Sequence, residues 1–105
     1  MSRNKFMTAD DAVKLIKDED TVALIGGGGG LMEATHTFRA ISRRFLETGA
    51  PRNLTVMHAL GIGDRKQEGM NHFAHEGLVK RVIGGHWVWS PKMQEMARDE
   101  KIEAY

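Results

Sequence analysis

Apolar positions along the chain change period several times. Residues 1–7 carry no pattern and read as a lead-in. Thr8 suits a helix cap. Asp10 and Asp11 suit its first turn, against the positive end of the dipole. Ala12, Val13, Leu15 and Ile16 then predict an apolar stripe ending near Lys17. Asp18, Glu19 and Asp20 make an acidic turn. Thr21–Ile25 is a short apolar run, rich in β-branched residues, that predicts a buried strand. Gly26 to Gly30 follow it without interruption. From Leu31 to about Glu47 the period is helical, with Ala34, Phe38, Ile41, Phe45 and Leu46 forming the stripe and Arg39, Arg43 and Arg44 facing water. Gly49 suits the left-handed position past a helix end, and Pro51 prevents continuation.

Leu54–His58 predicts a second strand, which runs into Gly61-Ile62-Gly63-Asp64. The polar stretch from Arg65 to Gly69 reads as mobile, and residues 71–80 as a short helix or two turns. Val82–Gly85 is a third short strand that again ends in glycine, before His86-Trp87-Val88-Trp89. Ser90-Pro91 opens a helix, since serine caps and proline fits the first helical position. Met93, Met96 and Ala97 give that helix its apolar face. Ile102–Tyr105 reads as the start of a fourth strand. Strands alternating with helices predict an α/β class: an open, mostly parallel sheet with helices on both faces. Three strands end in glycine-bearing loops, which would gather at the carboxyl edge of the sheet. Open α/β sheets bind their ligands there.

The glycine run after the first strand is the strongest local feature. Strand, glycine turn and helix together can hold a ligand, because backbone amides approach it with no side chain between. Two phosphate motifs nevertheless fail. A dinucleotide fingerprint from Gly26 needs glycine where Leu31 stands, and a P-loop needs a Gly-Lys-Ser/Thr ending that is absent. The alternative is a glycine turn that merely reverses the chain.

Composition narrows the function classes. A chain of 105 residues suggests one small domain. Fifteen basic and 14 acidic residues give a net charge of +1, which argues against a dedicated nucleic-acid binder. With no cysteine, disulfides, thiolate metal sites and cysteine nucleophiles are excluded. No apolar run reaches membrane-spanning length, and no apolar signal region follows the first residues, so a cytoplasmic protein is expected.

Several polar residues invite chemistry. His72, His75 and Glu76 would share a helix face, with His58 or His86 as a further metal ligand, but the spacing matches no well-defined metal site. Backbone-satisfied histidines are the alternative. His58 and His86 both sit where a strand meets the ligand edge, and either is a general base by type. Asp64 either orients a ligand or closes an Asx turn. Glu33 either complements the helix dipole or catalyses. Trp87 and Trp89 alternate and suit packing beneath a neighbouring domain.

Taken together, MTADDAVKLIKDEDTVALIGGGGG, RRFLETGAPRNLTV, NHFAHEGLVKRVIGGHW and KIEAY resemble the N-terminal part of family I coenzyme A-transferases, of the propionate, acetate and acetoacetate type. These stretches span nearly the whole chain in order. The resemblance implies transfer of coenzyme A between a short-chain acyl-CoA and a carboxylic acid. It implies coenzyme A as a substrate, with no tightly bound cofactor or metal. The five-glycine loop resembles the family's loop beside the acyl-CoA pocket, but departs from GGFGxxGxP in lacking phenylalanine and proline. On this basis Gly27, Gly28, Gly29 and Gly30 are expected to line the substrate region, with His58 and Asp64 beside them. The family's nucleophilic glutamate and the glutamine of its Gln-Gly motif match no position here. The chain, 1–105, is therefore expected to be an incomplete N-terminal domain, inactive alone, that self-associates or pairs with a missing C-terminal part. It is expected to act without nucleic-acid or membrane partners. The rival reading is a non-catalytic α/β module that binds a nucleotide or another subunit.

Overall fold

The structure is a computed structural model and describes residues 6–26 and 33–105. Four strands, β1 (Thr21–Leu24), β2 (Leu54–His58), β3 (Val79–Gly84) and β4 (Glu103–Ala104), form one sheet in the order β1-β2-β3-β4. Every neighbouring pair is parallel, with Val22 opposite Val56 and Val56 opposite Val82. The expected open parallel α/β sheet is therefore present. Three α-helices, α1 (Ala9–Ala12), α2 (Thr35–Thr48) and α3 (Pro91–Arg98), and two 3-10 segments, Val13–Leu15 and Met70–Phe73, accompany it.

Among the described residues the buried side chains of the central strands concentrate on one face of the sheet. Strands added in one direction and joined by right-handed crossovers return over the same face. Burial follows that rule. Leu54, Val56 and Val82 are fully buried, whereas Ala23, Met57, Ile83 and Glu103 on the opposite face are exposed. α2 packs against α1 and the Met70–Phe73 segment, and α3 packs against that same segment. Phe73 lies at the centre of this layer, with no exposure, and meets Phe38 edge-on at 5.4 Å between ring centroids. Burial of each such side chain contributes roughly 1.5–3 kcal/mol.

Local signals set most element ends. Thr8 accepts from the Asp11 amide at 3.1 Å and caps α1, as its position predicts. Gly49 takes φ 76° past α2 and donates to the Phe45 carbonyl at 2.8 Å. Other expectations need correction. α1 tightens into a 3-10 turn after Ala12, leaving Leu15 exposed. Leu46 is likewise exposed on α2. Arg44 does not face water: it is half-buried, and Nη1 donates to the carbonyls of Val13 at 2.8 Å and Ile16 at 2.9 Å, completing the end of the 3-10 turn. β3 begins at Val79 instead of Val82, with a register shift opposite Leu54 and Thr55. Ser90 stands at the N-cap of α3, but its hydroxyl donates to the Ile62 carbonyl instead. Asn71 Oδ1 supplies the missing acceptor, taking the Lys92 amide at 3.2 Å.

Candidate functional site

Because the strands are parallel, their carboxyl ends share one edge, and the loops after β1, β2 and β3 meet there. Gly27 to Gly30 lie outside the described residues. The rest of the edge comes from the start of α2, from Ala59 to Arg65 after β2, and from Gly85 to Trp89 after β3.

His58 ends β2 and is buried on the covered side of the sheet. Its Nδ1 lies 2.7 Å from the Leu60 carbonyl, which can only accept, so the ring proton belongs on Nδ1 and the lone pair on Nε2. Nε2 faces Gly84, where an added Cβ would come within 2.6 Å of it. Burial pushes the His58 pKa below the usual histidine value. The Leu60 bond and the Glu33 charge oppose that shift, and His86 adds to it. His58 is thus a neutral acceptor at neutral pH. His86 is exposed on the next loop, with its ring 6.3 Å from that of Trp89.

Glu33 precedes α2, which starts at Thr35 and not at Leu31 as the periodicity predicts. Outside the helix, its carboxylate reaches across the chain and accepts the Gly63 amide at 2.9 Å. It therefore ties the loop after β1 to the loop after β2. Trp89 closes the other side. An added Cβ at Gly61 would lie 2.3 Å from its ring, and one at Gly63 would lie 2.3 Å from its carbonyl oxygen. Glycine at both positions is what lets the indole and backbone come this close.

Asp64 has the turn role weighed from the sequence. Its Oδ1 accepts the amides of Lys66, Gln67 and Glu68 at 2.8, 3.0 and 3.1 Å. Burial would raise its pKa, but these amide bonds outweigh burial and lower it. Residues 65–69, expected to be mobile, are thereby folded onto a fixed carboxylate. Arg65 follows it, with its guanidinium carbon 4.4 Å from the Trp89 ring centroid. Sequence reasoning passed over Arg65, since nothing local couples it to a tryptophan 24 positions later.

The histidine pair is placed elsewhere. His72 Nε2 lies 2.9 Å from Glu68 Oε2, while Glu68 Oε1 takes Arg39 at 2.6 Å. Arg39 and His72 lower the Glu68 pKa in turn. His75 Nε2 lies 2.7 Å from the buried Ser42 hydroxyl, and its ring stacks on Phe45. Glu76 pairs with Lys101 at 3.4 Å. Among the described residues no three His, Asp or Glu groups converge on a common metal position. Arg39, Ser42, Glu68, His72 and His75 line a polar cleft of about 410 Å³ with Gln67, Asn71 and Lys92 in the helical layer.

The edge thus combines backbone amides, a neutral histidine acceptor, a carboxylate and a guanidinium. Such a set can hold an anionic ligand and pass protons. No helix among the described residues is long and apolar enough to cross a membrane.

No family model matches the chain. Curated proteins do. Acetate CoA-transferase YdiF of Escherichia coli K12 is 42% identical over 99 residues, which cover 94% of this chain and 19% of that protein. Caffeate CoA-transferase of Acetobacterium woodii is 36% identical over 102 residues, 96% of this chain and 19% of that one. The crystal structure of the acyl-CoA transferase YdiF from E. coli O157:H7, a thioester complex with CoA, superposes with a TM-score of 0.91 at 41% identity, covering 94% of this chain and 20% of that chain. The chain therefore spans about a fifth of the length of the relatives it matches.

Proposed function

We propose that this chain, homologous to about a fifth of the family I CoA-transferase YdiF, is the N-terminal domain portion of an enzyme that moves coenzyme A between a short-chain acyl-CoA and a carboxylic acid. The reaction runs through a glutamyl-CoA thioester, on a glutamate this chain does not supply. Gly27, Gly28, Gly29 and Gly30 line the acyl-CoA side of the edge. His58 accepts a hydrogen bond from the substrate through Nε2, and Asp64 keeps the neighbouring loop in shape. One observation carries this reading: the similarity covers 94% of the chain, at a TM-score of 0.91, to a transferase whose structure holds CoA as a thioester.

The roles left to these residues are binding and orientation. Without covalent catalysis, fixed dipoles and positioning do not supply the several kcal/mol that turnover needs. The chain alone binds coenzyme A and does not exchange it. Its partners are the remaining part of the transferase or a second copy, which meets the open edge at β4. The compartment is the cytoplasm.

The assay offers acetyl-CoA with propionate, or propionyl-CoA with acetate, and follows the exchanged thioester. No exchange is expected, and borohydride is expected to trap no modified glutamate. Exchange that persists after repurification and vanishes in Glu33→Gln would make Glu33 the nucleophile and overturn the proposal.

A further inference from the structure

Arg65 carries its guanidinium over an aromatic ring, as Arg52 does over Phe45 at 5.6 Å, where other arginines pair with acids or carbonyls. Arg39 pairs with Glu68, Arg43 with Asp10 and Arg81 with Glu103, while Arg44 is held by two carbonyls. No described residue takes a hydrogen bond or an ion pair from the Arg65 guanidinium. Its guanidinium carbon lies over the Trp89 ring, 4.4 Å from the centroid. The backbone fixes the residue. Arg65 adopts φ 67°, an uncommon conformation for a residue with a side chain, and its amide donates to the Trp89 carbonyl at 2.8 Å. Arg65 is the second residue of the turn that Asp64 holds through the amides of Lys66, Gln67 and Glu68.

We propose that Arg65 is a binding residue for an oxyanion of the substrate, presented by Trp89 at the glycine edge. The stack leaves the guanidinium N–H groups in a preset fork, the geometry that takes two oxygens of one carboxylate or phosphate. Stacking removes part of the rotamer entropy that a free surface arginine loses on binding. Place and charge agree with this role. Trp89 lies against Gly61 and Gly63, and Gly63 against Glu33, so Arg65 borders the loops that close the site. The carboxylates of Asp64 and Glu33 are engaged with backbone amides, Asp64 in its own turn and Glu33 at Gly63. The proposal rests on the transferase reading for the source of the oxyanion. That source is either the carboxylate of the acceptor acid or a phosphate of coenzyme A.

The test is a titration followed by ¹H–¹⁵N NMR at the Arg65 Nε–H and the Trp89 indole N–H. Acetate, inorganic phosphate and coenzyme A are added separately. Saturable shifts of both signals are expected with coenzyme A and with one of the small anions. Acetate identifies the acceptor carboxylate as the source; phosphate identifies the coenzyme. Arg65→Gln is expected to weaken that anion about tenfold or more, since it removes a charge-assisted pair. Arg65→Lys, which keeps the charge without the fork or the stack, is expected to fall between, and it stands in if Arg65→Gln does not fold. Unchanged affinity in the variants overturns the proposal. If they still bind coenzyme A as the wild type does, the transferase reading survives that failure. If the wild type takes acetate or phosphate at Arg65 but no coenzyme A, the transferase reading fails and the oxyanion site stands. No shift with any of the three overturns both.

Discussion

The chain carries two clusters of similar residues whose wiring differs. In the helical layer, side chains answer side chains: Arg39 and His72 share Glu68, and His75 meets Ser42. At the sheet edge, side chains answer backbone. Glu33 takes the Gly63 amide, His58 gives to the Leu60 carbonyl and Asp64 gathers three amides. A cluster closed on itself stabilises the layer and leaves little for a ligand. A cluster anchored to backbone holds loops in place while His58 Nε2 and the Arg65 fork stay available. Residue type alone, a pair of histidines beside acids, does not separate the two. Partner type does.

The contrast can be broken most severely at Gly85. An added Cβ there would lie 1.9 Å from the Ala59 carbonyl oxygen, a backbone atom with no side chain to move aside. Gly85→Ala is expected to destabilise the chain by about 3 kcal/mol and to abolish ligand binding at the edge, as read by thermal denaturation and titration. Wild-type stability in this variant would mean that the two loops are not packed as described.

Asp64→Ala should cost less, roughly 1–2 kcal/mol, because it strips one acceptor from three amides that water then partly solvates. Weaker binding at Arg65 should accompany it, since the turn that contains Arg65 is lost. If stability falls while binding holds, the turn does not position Arg65. Ser42→Ala removes the partner of His75 and is expected to cost about 1 kcal/mol. Edge binding should remain unchanged, because Ser42 and His75 are bonded to each other and not to the edge loops. A parallel loss of edge binding would merge the two regions.

The smallest effect is a dependence on pH. Burial, with Lys92 and His72 adding to it, holds the His75 pKa below its ordinary value of 6.5, and burial does the same at His58. Below about 6.5 the unfolded chain binds protons that the folded chain refuses, so stability declines as pH falls from 7 toward the carboxylate range. The decline ends once pH passes the depressed folded values. Midpoints of urea unfolding at pH 7 and pH 5.5 should show it. His75→Gln and His58→Gln should each reduce the slope, whereas an equal slope in both variants would place the titration elsewhere.

How much of this was legible beforehand depended on whether the signal was local. β2 has the ends its sequence predicts, because Leu54–His58 is a short run bounded by turn residues on both sides. Thr8 and Gly49 acted as sequence rules predict. The start of α2 was misread: Leu31 to Ala34 continue the helical pattern, but Glu33 is drawn to an amide thirty residues away. β3 was read three residues short. Val79 and Lys80 fall in the stretch that reads as a short helix or two turns, yet both belong to β3, where Arg81 pairs with Glu103 on the uncovered face. Ser90 followed the capping rule in position but not in bonding, since Ile62 offered its hydroxyl a buried carbonyl. At the site, His58, His86 and Asp64 could be placed at the edge from strand order alone. Arg65 could not, because its meaning lies in a ring that only the fold brings over.

The central claim is that the glycine edge of this chain is a coenzyme A site. Its most direct test is an amide-resolved ¹H–¹⁵N NMR titration with coenzyme A. The account predicts saturable shifts centred on Gly61, Gly63, Gly84, Gly85 and the Trp89 indole, with Arg39, Ser42, His72 and His75 unmoved. Shifts confined to the cleft between Arg39, His75 and Lys92, or none that saturate, would contradict it.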